Sequence, residues 1–323
     1  MKRNNILILS AGRRVKLVEF FQSAAKRHLK GVRVLATDMF PEFSPACHVA
    51  DEAVKAPRVT DPDYIQFLKN ICAEHAIGLL IPTIDTELLL LSDVRQEFAE
   101  LGSQIIISSS ELIGMCRDKR LTANLFDRLS IDQPAIYNRE DIQFPCFCKP
   151  YDGSCSQGAL PVFSEEMLTP DLLDDPKNMF MELVGKEFSE YTVDAYYDRE
   201  GALRCLVPRE RLEVRAGEVS KGITRRNAVY DYLRNRLSRL EGAVGCITAQ
   251  FFFNPDTGIV KGLEINPRFG GGYPLSLAAG ADYPDWLVRE YLLGEKIEFF
   301  DKWKTDLMML RYDEQVIVDA SNY

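Results

Sequence analysis

Residues 4–110 alternate short apolar runs with amphipathic segments, and this alternation restricts the fold more than any other property of the chain. "NILILS" reads as a buried strand ending at Gly12, and "RVKLVEFFQSAAKRH" has helical period. "VRVLATD" is a second strand, ending at Asp38. Residues 62–76 read as a helix, with Asp61 as cap and Pro62 at its first position. "GLLIPT" is a strand, 86–101 a helix and "QIIIS" another strand. Such a βαβ rhythm predicts a parallel sheet with right-handed crossovers. The first turn reads "SAGRR", not GxGxxG, although Asp38 stands where a ribose-binding acid would. A doubly wound sheet with a tight first turn is the preferred reading, ahead of a dinucleotide site.

The 323 residues suffice for two domains. Net charge is −9, which argues against a nucleic-acid or anionic-membrane partner, since both need basic surfaces. The start carries only four consecutive apolar residues, too few for a signal peptide, and no run approaches the ~20 needed to cross a bilayer. Eight cysteines form no CxxC pair; Cys146 and Cys148 are the only close ones, so reduced thiols and a cytoplasmic location are expected. His28, His48 and His75 share no ligand spacing.

The texture changes from Glu111. "ELIGMCRDKRLTANLFDRL" reads as one helix containing Asp118, Lys119 and Arg120. "FPCFCKP" and "ALPVF" are strands enclosing "YDGSCSQG"; 164–174 looks helical; "NMFMELVG", "SEYTVDAYYD" and "ALRCLVPRERLEV" are strands. A helix covers 227–240, "CITAQFFF" and "GIVKGLEIN" form a hairpin, and a last helix spans 282–293.

The end of that hairpin, "KGLEINPRFGGG", sets polar groups on a strand that should be buried. Glu264 and Asn266, two apart, share a face. The hairpin turn brings Gln250 near residue 262, diagonal to Glu264. One carboxylate and two amides suit a Mg²⁺ that keeps waters and binds phosphate oxygens; a solvated strand end is the plain alternative. Arg268, one step on, reaches an anion held there. In "KPYDGSCSQGA", Lys149 leaves a strand into a turn whose backbone N–H groups suit phosphate, or simply into a hairpin tip. In "MELVGKEFSEYTVD", a strand end at Glu182, Leu183 and Val184 offers peptide groups to an adenine ring, with acids following for a ribose.

In order and spacing these pieces resemble the ATP-grasp superfamily over roughly 110–315. The overall likeness is to short proteins similar to the carbamoyl-phosphate-synthetase large subunit and to the pyrrolysine-biosynthesis ligase. The resemblance implies an α/β protein: a Rossmann-like domain with a parallel sheet over 1–110, then an ATP-grasp fold of two α+β subdomains over 111–323, with a lid near 140–182. It implies that Lys119 and Lys149 hold ATP phosphates and that a loop containing Gly153, Ser154, Ser156 and Gly158 closes over the triphosphate. Glu182, Leu183 and Val184 would line the adenine, and Glu190 or Glu187 would bind ribose, Glu190 preferred. Gln250, Glu264 and Asn266 would hold one or two Mg²⁺, with Mn²⁺ as a substitute, and Arg268 with Lys149 would act on the transferred phosphate. The chain departs from the pattern at Gln250, where many members have an acid, and at Cys155, where glycine is usual.

By the same resemblance, Thr83, Asp85 and Glu87 would face the interdomain cleft as substrate residues, or simply cap a helix. Arg209, Arg211, Arg215 and Lys221 would bind substrate carboxylates, or lie on a charged surface. The implied activity is ATP-dependent ligation of a small-molecule carboxylate to an amine, less often a thiol, through an acyl phosphate, with a homodimer allowed. The rival readings are an NAD(P)-dependent oxidoreductase built on the first domain and a non-catalytic nucleotide-binding regulator.

Overall fold

The computed structural model describes residues 3–153, 158–215, 217–319 and 321. The first sheet contains β1 (Asn5–Ile8), β2 (Val34–Asp38), β3 (Glu52–Lys55), β4 (Ile77–Ile81) and β5 (Gln104–Ile105), in the order β3-β2-β1-β4-β5, all parallel. Helices α1 (Val15–His28), α2 (Pro45–Val49), α3 (Tyr64–Glu74), α4 (Asp85–Asp93) and α5 (Arg95–Glu100) connect the strands. Ile77–Ile81 is buried throughout, as a strand covered on both faces must be. The edge strand β3 alternates exposure, and its short "EAVK" gave no clear signal in the sequence.

The 62–76 helix begins only at Tyr64. Asp61 does not cap it; its side chain accepts the Arg58 backbone N–H at 3.0 Å, and its carbonyl accepts that of Tyr64. The 86–101 segment breaks at Val94 into α4 and α5.

Helices α6 (Ser110–Arg117) and α7 (Lys119–Arg128) replace the single helix read from "ELIGMCRDKRLTANLFDRL". Asp118 stays extended between them and accepts the Arg120 backbone N–H at 2.9 Å, an N-cap that starts a new helix. Lys119 therefore stands at the first position of a helix.

A four-stranded antiparallel sheet follows, ordered β6-β9-β7-β8, from β6 (Ile136–Tyr137), β7 (Cys146–Pro150), β8 (Leu160–Val162) and β9 (Asn178–Glu182). The 164–174 segment is a 3₁₀ turn plus the short α8 (Pro170–Asp174). The largest sheet runs β14-β13-β10-β11-β12-β15, from β10 (Ser189–Tyr197), β11 (Leu203–Arg215), β12 (Glu218–Thr224), β13 (Gly245–Phe253), β14 (Val260–Asn266) and β15 (Met308–Leu310). Helix α9 (Ala228–Leu237) lies against β11, α10 (Tyr273–Ala278) follows β14, and α11 (Tyr283–Leu287) runs into a π-helical turn over 288–292 in place of one α-helix. Strand β12, with Gly222 inside it, and the short β6 and β15 escaped the sequence reading.

Aromatic packing joins the two halves. Phe21 of α1 meets Phe269 edge-on at 6.0 Å, and Phe269 meets Tyr273 at 4.9 Å, continuing through Tyr283 to Trp286. Edge-to-face pairs of this kind add about 0.5–1.5 kcal/mol each beyond their buried area. They pin the turn after β14 against the first domain.

Candidate active site

A cavity of about 750 Å³ lies between the three sheets. Its floor is one face of the large sheet. Asn266, Thr248 and Asp194 form one row across β14, β13 and β10; Glu264, Gln250, Thr192 and Arg209 form the next across β14, β13, β10 and β11. Because side chains alternate along each strand, these rows face the cavity together.

The three predicted metal ligands come together more tightly than the hairpin pattern predicts. Gln250 sits directly opposite Glu264, not residue 262, because a bulge shifts the register between Gln250 and Phe251. Its Nε2 donates to Glu264 at 2.5 Å, and Asn266 Nδ2 donates to the same carboxylate oxygen at 2.9 Å. Rotating either amide by half a turn aims an oxygen at the carboxylate's side instead. One carboxylate and two amide oxygens are a hard, low-charge donor set that fits Mg²⁺ retaining waters and phosphate oxygens.

Lys119 and Lys149 face this set. Lys149 is only 8% exposed; burial and the Lys119 charge bring its pKa down to about 8, against the pull of Glu264. Burial also lowers the pKa of Lys119, with Glu264 opposing, and its Nζ donates to the Gly153 carbonyl at 2.5 Å. Gly153 lines the cavity and Gly158 takes a left-handed φ of 71°. Ser154 and Ser156 lie outside the described residues.

At the other wall, Glu182, Leu183 and Val184 run along the cavity beside Phe147, Met181, Phe252 and Leu263. This largely apolar wall suits an aromatic base. The Glu182 carboxylate pairs with Lys261 and accepts the Ala135 N–H at 3.2 Å. Of the two ribose candidates, Glu190 lines the cavity and binds Arg211 at 2.5 Å, and burial raises its pKa. Glu187 is exposed, with its carboxylate folded over Gly185. Arg211 also donates to Gln250 Oε1 at 2.8 Å, linking Glu190 to the Gln250–Glu264–Asn266 cluster.

Arg268 does not continue the strand face. Strand β14 ends at Asn266, the chain turns at Pro267, and Arg268 reaches back to Asp85 of the first domain through bonds of 2.9 and 2.6 Å.

Three predicted substrate residues, Glu87, Arg215 and Lys221, stand elsewhere. Glu87 is fully buried: its oxygens accept from the Thr83 and Ile84 backbone, the Ser10 hydroxyl and the Tyr64 hydroxyl. A buried carboxylate needs such partners, and here they tie the ends of β1 and β4 together. Thr83 borders the cavity, but its hydroxyl is spent on the Leu9 and Ser10 carbonyls at 2.9 Å. Arg215 and Lys221 point to solvent, paired with Asp313 and with Glu213, because two bulges twist the β11–β12 tip away. Arg209 does line the cavity, but two of its nitrogens bind the buried Asp194 at 2.9 and 3.0 Å.

Arg14 and Glu218 also line the cavity. No periodicity marked them; the double arginine in "SAGRR" was the single available cue. Asp38 accepts the Gly12 and Phe40 N–H groups at 3.1 and 3.0 Å, so both its oxygens serve the first turn and not a ribose.

A family model described as PylC-like, N-terminal domain matches residues 6–106, and one described as ATP-grasp in the biosynthetic pathway with Ter operon matches residues 174–314. The fold is that of ATP-grasp proteins. The chain thus carries a PylC-like N-terminal domain followed by an ATP-grasp domain. No curated protein sequence matches it. Among solved structures, the Hydrogenobacter thermophilus 2-oxoglutarate carboxylase biotin carboxylase domain, a dimer with MgADP, ADP and bicarbonate, is similar at 15% identity and TM-score 0.72, over 95% of this chain and 74% of that one. An ADP complex of N5-carboxyaminoimidazole ribonucleotide synthetase gives 18% and 0.71, over 93% and 80%. The L-amino acid ligase from Bacillus licheniformis gives 14% and 0.67, over 90% and 75%.

Proposed function

We propose that the protein is an ADP-forming ligase that joins a small carboxylic acid to an amine through an acyl phosphate. The observation that carries this is the meeting, in one cavity, of the buried Lys149, the half-buried Lys119, the Glu264–Gln250–Asn266 oxygen set and Arg268. In the first step a carboxylate oxygen of the substrate attacks the γ-phosphorus of ATP and ADP leaves. In the second the amine attacks the acyl carbon, inorganic phosphate leaves and the amine loses a proton.

The chain supplies position and charge in both steps. Lys119 and Lys149 hold the phosphates, and the 182–184 segment holds adenine with Glu190 on the ribose. Gln250, Glu264 and Asn266 would hold Mg²⁺, which when bound offsets phosphate charge. Arg268, oriented by Asp85, faces the transferred phosphate. Lys119 also holds the Gly153 carbonyl at the cavity wall.

A homodimer in the cytoplasm belongs to this reading. It is supported by the dimeric biotin carboxylase relative and by the lack of any helix, among the described residues, long and apolar enough to cross a membrane. The test is ADP and phosphate release from MgATP over a matrix of carboxylic acids and amines. Stoichiometric ADP, phosphate and coupled product are expected. MgATP that neither binds nor turns over with any pair would overturn the ligase reading.

A further inference from the structure

Past Arg268 the cavity ends in a chamber walled by both domains. Arg14 and Asp85 enter from the first domain; Glu218, Arg209 and the backbone of 270–272 enter from the second. Two guanidiniums there keep unused donors. Arg14 donates once, from Nη2 to the Thr83 carbonyl at 3.1 Å, and makes no other side-chain hydrogen bond among the described residues. Arg209 Nη1 is buried with no partner among the described residues, although Nε and Nη2 are bound to Asp194. A buried unpaired donor costs about 1–3 kcal/mol, which a ligand oxygen would recover.

The geometry places an acid beside these donors. A Cβ at Gly272 would collide with Arg209 Nη1, and one at Gly271 would collide with the Glu218 carboxylate. Adjacent glycines thus let an orphan cationic donor and a carboxylate approach the same short stretch of backbone. Glu218 Oε2 accepts from Arg311 at 3.2 Å on its outer side, and Oε1 has no partner among the described residues. Arg14 lies within electrostatic reach of Arg268, Glu218 and Asp85; burial and then the Arg268 charge lower its pKa to about 10.

The chamber is lined by two cations, Arg14 and Arg268, and two acids, Asp85 and Glu218, while Arg209 is balanced by Asp194 and Arg311 meets the outer side of Glu218. With unused cationic donors and an unpartnered carboxylate oxygen on its walls, it matches a small dipolar molecule better than a simple anion, which would face that oxygen unfavourably. Resting on the ligase reading above, we propose that this chamber takes a free α-amino acid, its carboxylate on Arg14 and Arg209 Nη1 and its ammonium on Glu218.

ADP release from MgATP is measured with each standard α-amino acid, alone and in pairs. For each responder, the desamino acid and the decarboxylated amine are compared. The wild type should respond at least about tenfold better to the amino acid than to either analogue. Glu218→Gln should raise KM for the amino acid by about 10- to 100-fold while leaving KM for ATP unchanged, and should narrow its advantage over the desamino acid. Arg14→Gln should narrow its advantage over the amine; Arg14→Lys, which keeps the charge, should recover part, and thermal unfolding checks that both variants fold. Equal wild-type response to the desamino acid, or unchanged preference ratios in Glu218→Gln and Arg14→Gln, would overturn the assignment. Calorimetric titrations of MgATP and of amino acids run in parallel: MgATP binding with no amino-acid binding sinks the chamber alone, whereas absent MgATP binding sinks the ligase reading.

Discussion

Arg268, just past the end of β14, is held by Asp85 at the start of α4 through two parallel hydrogen bonds of 2.9 and 2.6 Å that cross the domain boundary. Burial disfavours the Arg268 charge, but Asp85 and Glu264 more than restore it and raise its pKa. The fork geometry fixes the plane of the guanidinium as well as its place. The first domain thereby orients a side chain of the second domain's cavity wall.

If Arg268 stabilises the transferring phosphate, Arg268→Ala should lower kcat by about 10²–10³ with little change in KM for ATP. Asp85→Asn, which loosens the fork without removing the cation, should cost about tenfold. Because Asp85 acts through Arg268, the double variant should be no slower than Arg268→Ala alone. Steady-state kinetics on the three variants check this; a KM effect with kcat preserved would make Arg268 a ground-state anchor.

Glu264 is the one carboxylate of the Gln250–Glu264–Asn266 set. Glu264→Gln should abolish turnover and the dependence of nucleotide binding on Mg²⁺, since three neutral amides hold a divalent ion poorly. Thermal unfolding should be nearly unchanged, the site being half-buried at the strand end. Ligation at the wild-type rate in this variant would remove the metal assignment.

Lys149 should impose a pH limit. With its pKa brought down to about 8, the free protein loses this ammonium as pH rises through that value. MgATP affinity should therefore hold below pH 7.5 and decline above about 8, by up to tenfold per unit. Bound phosphates favour the charged form, so the kcat profile should break at higher pH than kcat/KM. Lys149→Arg keeps its charge and should flatten the affinity profile to pH 9, as measured by titration calorimetry.

Within the same two polar rows, Asp194 and Arg209 form an almost wholly buried pair, with Thr248 and Ser276 hydroxyls donating to Asp194 at 3.2 and 2.5 Å. Asp194→Ala would strand a buried guanidinium and should cost about 3–5 kcal/mol of stability in urea denaturation. A loss under 1 kcal/mol would mean that water reaches Arg209.

Much of this arrangement was legible in the chain alone. Strand period places Glu264 and Asn266 on one face wherever the strand lies, and Lys149 leads out of a strand into a glycine-rich turn whatever surrounds it. The βαβ rhythm of the first third predicts its parallel sheet for the same reason: apolar period and turn chemistry are local properties. Other features depended on what each segment meets. The break at Asp118 is a capping choice inside an otherwise helical pattern, and a bulge at Gln250 moved it opposite Glu264. Asp85 and Arg268 are 183 residues apart, and Arg14, Glu218 and the orphan Arg209 nitrogen share a chamber only because α1 and the turn after β14 dock through Phe21 and Phe269. Glu87 and Asp85 sit two positions apart in one motif, yet one is buried as a brace and the other reaches across the domain boundary. Local sequence determined which chemical groups end each element. Only the packing of distant surfaces decided which groups were spent on holding the fold and which were left facing the cavity, because a buried polar group takes whichever partner the tertiary structure brings within hydrogen-bonding distance.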